Sequence, residues 1–130
     1  MDNESKLEFH HIGMPVKEER PHERYSSLYG MYTSDGSNKD IHIQFHRYDD
    51  DSILDKRIRE TVHVAFKTKN IEDYLKGKEV IMPLYEPFKG YKVAMILLDG
   101  LPVEIIETTL SEKEIWEDDH SNSVLYPKEK

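Results

Sequence analysis

The chain has 130 residues, 34% of them charged, with no cysteine and a formal net charge of −8. That length allows one domain, or two small halves on a shared core, and buries roughly two-thirds of the unfolded surface. The acidity argues against nucleic acid or an anionic membrane as a partner, and the missing cysteines exclude disulfides, thiol nucleophiles and Cys-ligated metal sites.

Residues 1–6 are polar and carry no apolar signal-peptide core, and no apolar run approaches the roughly 20 residues of a membrane span. A cytoplasmic location is therefore expected. Residues 7–16 read as a first strand. Lys17 to Arg20 lead into a predicted helix, with Pro21 near its first turn and Gly30 past its end. Tyr25, Leu28 and Tyr29, spaced i, i+3 and i+4, give that helix an apolar face. Met31 and Tyr32 suggest a short strand, and residues 34–38 form a turn cluster. From Asp40 to Tyr48 the residues alternate, with Ile41, Ile43, Phe45 and Arg47 on one side and His42, Gln44 and His46 on the other. Residues 53–60 are a charged connector with room for a helical turn.

Residues 61–67 are predicted as a central strand that turns Val62, Val64 and Phe66 one way and His63, Ala65 and Lys67 the other. Asn70 as N-cap and Gly77 as stop bound a second helix striped by Ile71, Tyr74 and Leu75. Residues 80–84 and 91–98 read as strands. Asp99-Gly100 tolerates positive φ and turns the latter into an arm from Pro102 to Glu107. Ser111 and Glu114 form a capping-box pattern ahead of Ile115 and Trp116. The polar remainder, Glu117 to Lys130, is expected to be an arm, with Val124, Leu125 and Tyr126 packing on this domain or a neighbour.

The order is strand, helix, strands, then the same again. His11-Ile12-Gly13-Met14 and His63-Val64-Ala65-Phe66 share one pattern, a His, a β-branched residue, a small one and a bulky apolar one. The two histidines lie 52 residues apart, which marks an internal duplication. Hairpins outnumber crossovers, so the expected class is α+β, with helices on one face of curved sheets.

Alternation places His11 with Phe9 and Gly13 on one face of the first strand, and His42, Gln44 and His46 on one face of the 40–48 strand. Bent around a cavity, such a sheet aims His11, Gln44, His63 and Glu104 inward. Two imidazoles, an amide oxygen and a carboxylate suit an intermediate divalent metal. His22 and His120 read as solvated. Lys67 is either a solvated strand end or a cation at the cavity mouth, and Tyr85 and Lys92 are candidates for the cavity wall.

Phe9-His10-His11-Ile12-Gly13-Met14-Pro15-Val16, His63-Val64-Ala65-Phe66 and Asp99-Gly100-Leu101-Pro102-Val103-Glu104-Ile105-Ile106-Glu107 resemble motifs of the vicinal oxygen chelate superfamily. That superfamily includes glyoxalase I, methylmalonyl-CoA epimerase, extradiol dioxygenases and fosfomycin- and bleomycin-resistance proteins. The resemblance implies paired βαβββ modules forming a cupped sheet, one at about 7–60 and one at about 61–110, followed by a C-terminal helix and arm at 111–130. It implies one divalent ion (Zn, Ni, Co, Mn or Fe) held by His11, Gln44, His63 and Glu104, a set similar to that of methylmalonyl-CoA epimerase. The implied activity is that of an isomerase, epimerase or lyase that abstracts a proton next to a carbonyl of a small oxygenated molecule. The alternative is a small-molecule binder of the same fold. Glu104 is the metal-site residue able to act as base, and His42 and His46 are alternatives. Between Gly30 and Thr61 there is room for one clear strand, not three, so the first module is shortened. One cup wall is then missing or comes from a second chain, and a homodimer is expected. A one-residue slip in the first strand would exchange His10 for His11.

Overall fold

The two strands that share the repeated pattern, β1 (Glu8–Pro15) and β5 (His63–Lys67), pair antiparallel at the middle of the protein. The structure is a computed structural model that describes residues 7–116. The arm expected over 117–130, His120 included, lies outside the described residues. The first half adds β2 (Arg24–Ser26), β3 (Met31–Asp35) and β4 (Ile43–Tyr48), and the second adds β6 (Glu79–Phe88), β7 (Tyr91–Leu98) and β8 (Leu101–Thr108). All eight form one curled sheet in the order β2-β3-β4-β1-β5-β8-β7-β6. β1 runs parallel to β4 and β5 parallel to β8, so each half wraps its last strand beside its first. Three short helices complete an α+β fold: α1 (Lys56–Glu60), α2 (Ile71–Leu75) and α3 (Glu112–Trp116).

The helix predicted before Gly30 does not form. Residues 24–26 instead become β2, which pairs with β3. Contacts distant in sequence decide this. The Tyr25 ring lies 4.5 Å from that of Tyr32, and its hydroxyl donates to Asp49 at 2.6 Å. Arg47 makes two hydrogen bonds to Glu23, at 2.6 and 3.0 Å, while its guanidinium covers the Tyr32 ring. Leu28, which was to close the apolar stripe, is exposed, and His22 has φ 60°, which a helix excludes. The first half is therefore shortened by losing its helix while all three of its later strands are present. The cup wall that a second chain was expected to supply is built from this one.

The second half follows its local signals. Asn70 accepts a hydrogen bond from the Asp73 N–H at 3.1 Å and caps α2, and Gly77 stops it at φ 74°. The Glu107 carboxylate holds the Ile71 N–H at 2.9 Å, which anchors α2 to β8. Asp99 and Gly100 turn β7 into β8 with φ 52° and 81°. Ser111 and Glu114 exchange hydrogen bonds at 3.1 and 2.7 Å, a complete capping box for α3.

The helices do not share one face. Under α2, on the outer side, Ile71 packs with Ala94, Ile96, Val103 and Ile105. On the concave side, Ile115 of α3 packs with Ala65, Tyr91, Val93 and Ile106. The cup is thus plugged at one end by its own C-terminal helix. No helix among the described residues is long and apolar enough to cross a membrane.

Candidate metal centre

A bulge in β1 sets the site. The pairing of β1 with β5 shifts between Phe9 and His11. It sends Phe9 to the outer face, edge-on to Phe66 at 6.1 Å, and not to the side of His11 as alternation predicts. His10 and His11 are both buried, with their Nδ1 atoms hydrogen-bonded at 2.8 Å. Neither ring displaces the other, because the extra residue brings both inward.

The His11 Nδ1 atom is thereby engaged and Nε2 faces the interior, 3.5 Å from Glu104 Oε1. His63 Nε2 lies 3.0 Å from the same oxygen. Gly13 sits opposite His63 in the β1–β5 register, and a Cβ there would run into the His63 ring. Glycine in mid-strand is what lets that ring lie flat against the backbone. Donor atoms of His11, His63 and Glu104 all fall within 4.8 Å of one another.

Gln44 is buried on the same face of β4 as His46, in register with Gly13, and is the cross-strand neighbour of Asp35, whose carboxyl it helps hold low. His46 holds Thr33 Oγ1 at 3.1 Å through Nδ1 and lies 5.6 Å from the His63 ring, nearly parallel to it. His42 is turned elsewhere. It bonds Asp35 at 3.3 Å and stacks on Trp116 with ring centres 3.5 Å apart. Of the four expected ligands, His11, His63 and Glu104 have donor atoms within 4.8 Å of one another, and Gln44 is buried on the neighbouring strand β4.

Burial pushes the Glu104 carboxyl upward, but His11 and His63 outweigh burial and hold it well below the usual range. Burial, with His63 adding to it, lowers His46 from 6.5 to about 3. Burial and His11 lower His10 from 6.5 to about 4. The centre is therefore an anionic carboxylate flanked by imidazoles. His11 Nε2 is buried without a hydrogen bond of normal length, as a nitrogen reserved for a cation would be. Two imidazole nitrogens and a carboxylate are an ordinary donor set for a zinc-like ion, so the residues fit one.

The shifts also set a pH dependence. Between the folded values of about 3 and 4 and the unfolded 6.5, the unfolded chain binds protons at His46 and His10 that the fold does not. Stability is therefore present above pH 6.5 and lost as pH falls through that window. Glu104, a depressed acid, adds a loss of the same sign at lower pH. Urea unfolding of metal-free protein should show a falling free energy from about pH 7 to about pH 4, with a shallower slope in His46→Gln. Equal slopes in the two proteins would refute the assignment.

Beside the centre lies a cavity with His46, His63 and Glu104 in its wall. Leu54 and Ile58, on and beside α1, close it, and Met82, Met95 and Tyr85 line the opposite side.

No family model matches the chain, and no curated protein matches it. Among solved structures, methylmalonyl-CoA epimerase from Mycobacterium tuberculosis superposes with a TM-score of 0.60 at 14% identity, covering 85% of this chain and 94% of that one. The chain has the fold of that epimerase. Within that fold, His11 and His63 occupy matching points of the two central strands, where the halves meet.

The other side of the centre is covered by α3. Trp116 lies parallel to His10 at 5.3 Å and edge-on to His11 at 5.4 Å. Glu112 accepts from Trp116 Nε1 at 2.8 Å and lies 3.2 Å from His10 Nε2 and 3.7 Å from Lys67 Nζ. Lys67 is thus paired with Glu112. Tyr85 does line the cavity, whereas Lys92 lies across from Glu107 on the neighbouring strand. Sequence reasoning named His10 only as a substitute for His11, and it missed the roles of Gly13, Trp116 and the methionines. A glycine inside a strand was the one local signal among them.

Proposed function

We propose that the protein is a metal-dependent isomerase, epimerase or lyase that moves a proton next to a carbonyl of a small oxygenated molecule. The observation that carries this reading is the buried triad of His11, His63 and Glu104 at the edge of an apolar cavity. Those three residues would hold a divalent ion, with Gln44, buried on the adjacent strand, as fourth ligand. The chemistry such an ion supplies is Lewis acidity toward a carbonyl oxygen, with a surplus positive charge because one carboxylate faces it.

Glu104 borders the cavity as a carboxylate and is the proton acceptor we favour. His46 borders it too. Burial lowers it to about 3 and the imidazoles hold Glu104 low as well, so both are weak bases. Glu104 is favoured because its carboxylate would sit against the ion and the carbonyl it polarises, while His46 hydrogen-bonds substrate in its neutral form. His42, beneath Trp116 and bonded to Asp35, is the weaker candidate. A second reading, a small-molecule binder of the same fold, gains support from that same weak basicity.

Protein purified without a histidine tag and supplied with Zn²⁺, Mn²⁺, Co²⁺ or Ni²⁺ should carry about one equivalent per chain by elemental analysis, falling at least about 100-fold in affinity in His63→Ala and Glu104→Ala. Deuterium should then exchange from solvent into some α-hydroxy, 2-oxo or acyl-CoA compound. Bound metal with no exchange across that panel would leave the binder. No metal at all would defeat the enzyme reading.

A further inference from the structure

The cavity beside the centre has a marked chemical bias. Three of its lining residues are methionines, Met31, Met82 and Met95, joined by Leu54 and Ile58. The ionisable side chains that reach it are Tyr48, Tyr85, His46, His63 and Glu104, and among the described lining residues there is no lysine or arginine. Of the cations on surrounding elements, Arg59 comes near enough for its charge to act on Tyr48, whereas Lys67 and Lys92 do not line the space. Arg59 of α1 donates Nε to the Leu54 carbonyl at 3.0 Å, Lys67 pairs with Glu112, and Lys92 lies opposite Glu107.

A carboxylate or phosphate held against the methionine wall, away from the ion, would lose its hydration with no lysine or arginine among the described lining residues to pair with it, and the acidic side chain in that lining is Glu104. An alkyl or aryl group meets the opposite conditions. Thioether side chains are polarizable and adapt to irregular apolar shapes, including ring edges.

Resting on the metal-enzyme reading above, we propose that the substrate carries an uncharged alkyl or aryl body behind the oxygenated head that meets the centre. Compounds with a carboxylate or phosphate on that body are excluded. The restriction applies to the body, not to the atoms that reach His11, His63 and Glu104.

The test is calorimetric, on zinc-loaded and on metal-free protein, with 1-hydroxy-4-phenylbutan-2-one and its para-carboxylate. The neutral compound should bind at least about tenfold more tightly, the factor one uncompensated buried charge readily supplies. Met82 is half-buried on the edge strand β6, where a lysine can lay its stem along the wall and keep its ammonium near the opening. Met82→Lys should shift the preference about tenfold toward the carboxylate compound, whereas Met82→Gln should not. Equal or tighter binding of the carboxylate compound by the unaltered protein would overturn the proposal, as would binding of neither compound to the loaded protein. A neutral preference in protein that takes up no metal would support this inference while the enzyme reading fell.

Discussion

Replacing Gly13 with alanine should abolish high-affinity metal binding, lowering it by at least about 100-fold, although residue 13 offers no ligand atom. The added Cβ would land on the ring of His63, against Cε1, Nε2 and Nδ1. Two responses are open to the protein. His63 can swing away, breaking its 3.0 Å contact with Glu104 and leaving a buried carboxylate with one imidazole partner. Otherwise β1 must separate from β5 at the middle of the sheet. Overpacking of this kind costs about 1–3 kcal/mol. Glycine-to-alanine inside a strand otherwise stabilises by roughly 0.5–1 kcal/mol, so the sign of the change depends on the ring. In a His63→Ala background, Gly13→Ala should therefore be neutral or stabilising in urea unfolding. The same loss with and without the ring would mean that the strand itself, not the imidazole, needs the glycine.

Truncating Ile105 to alanine should cost about 2–5 kcal/mol, since the side chain is fully buried and held between β-strands on both sides. It lies on the outer face of β8, with Ile71 of α2, Ala94, Ile96 and Val103 around it. Neighbouring backbones fixed in the sheet ladder leave little freedom to collapse into the void. Against a total stability of about 5–15 kcal/mol for a domain of this kind, that loss is large. Leu28→Ala, at a half-exposed turn position, should change stability by under about 0.5 kcal/mol. Denaturant unfolding of both variants checks the contrast. A loss at Ile105 no larger than that at Leu28 would contradict the packing described here.

The second half was legible because its signals are local. Asn70, Gly77, Asp99-Gly100 and the Ser111/Glu114 pair each act within a few residues, and each forms the feature its chemistry predicts. The first half was read wrongly at residues 17–30 because its decisive partners are remote. Glu23 meets Arg47 and Tyr25 meets Asp49, across 24 positions in each case. A three-residue apolar stripe cannot compete with such contacts. His11, His63 and Glu104 were found from alternation on strands whose partners repeat their pattern. His10 was not, because a bulge is a property of two paired strands and leaves no mark on one. The direction of α3 escaped for a similar reason. Its cap states that a helix starts at Ser111, and nothing in those residues says that it enters the cup.

The placement of Trp116 makes the centre observable by optical means. It is the sole indole in the chain, and it lies against His42 and His10 and edge-on to His11. Emission excited at the red edge of protein absorbance therefore comes from one chromophore within ring contact of a candidate ligand. A cation drawing on His11 alters the charge seen by that ring, so occupancy reads out as a change in intensity or colour, with no label attached.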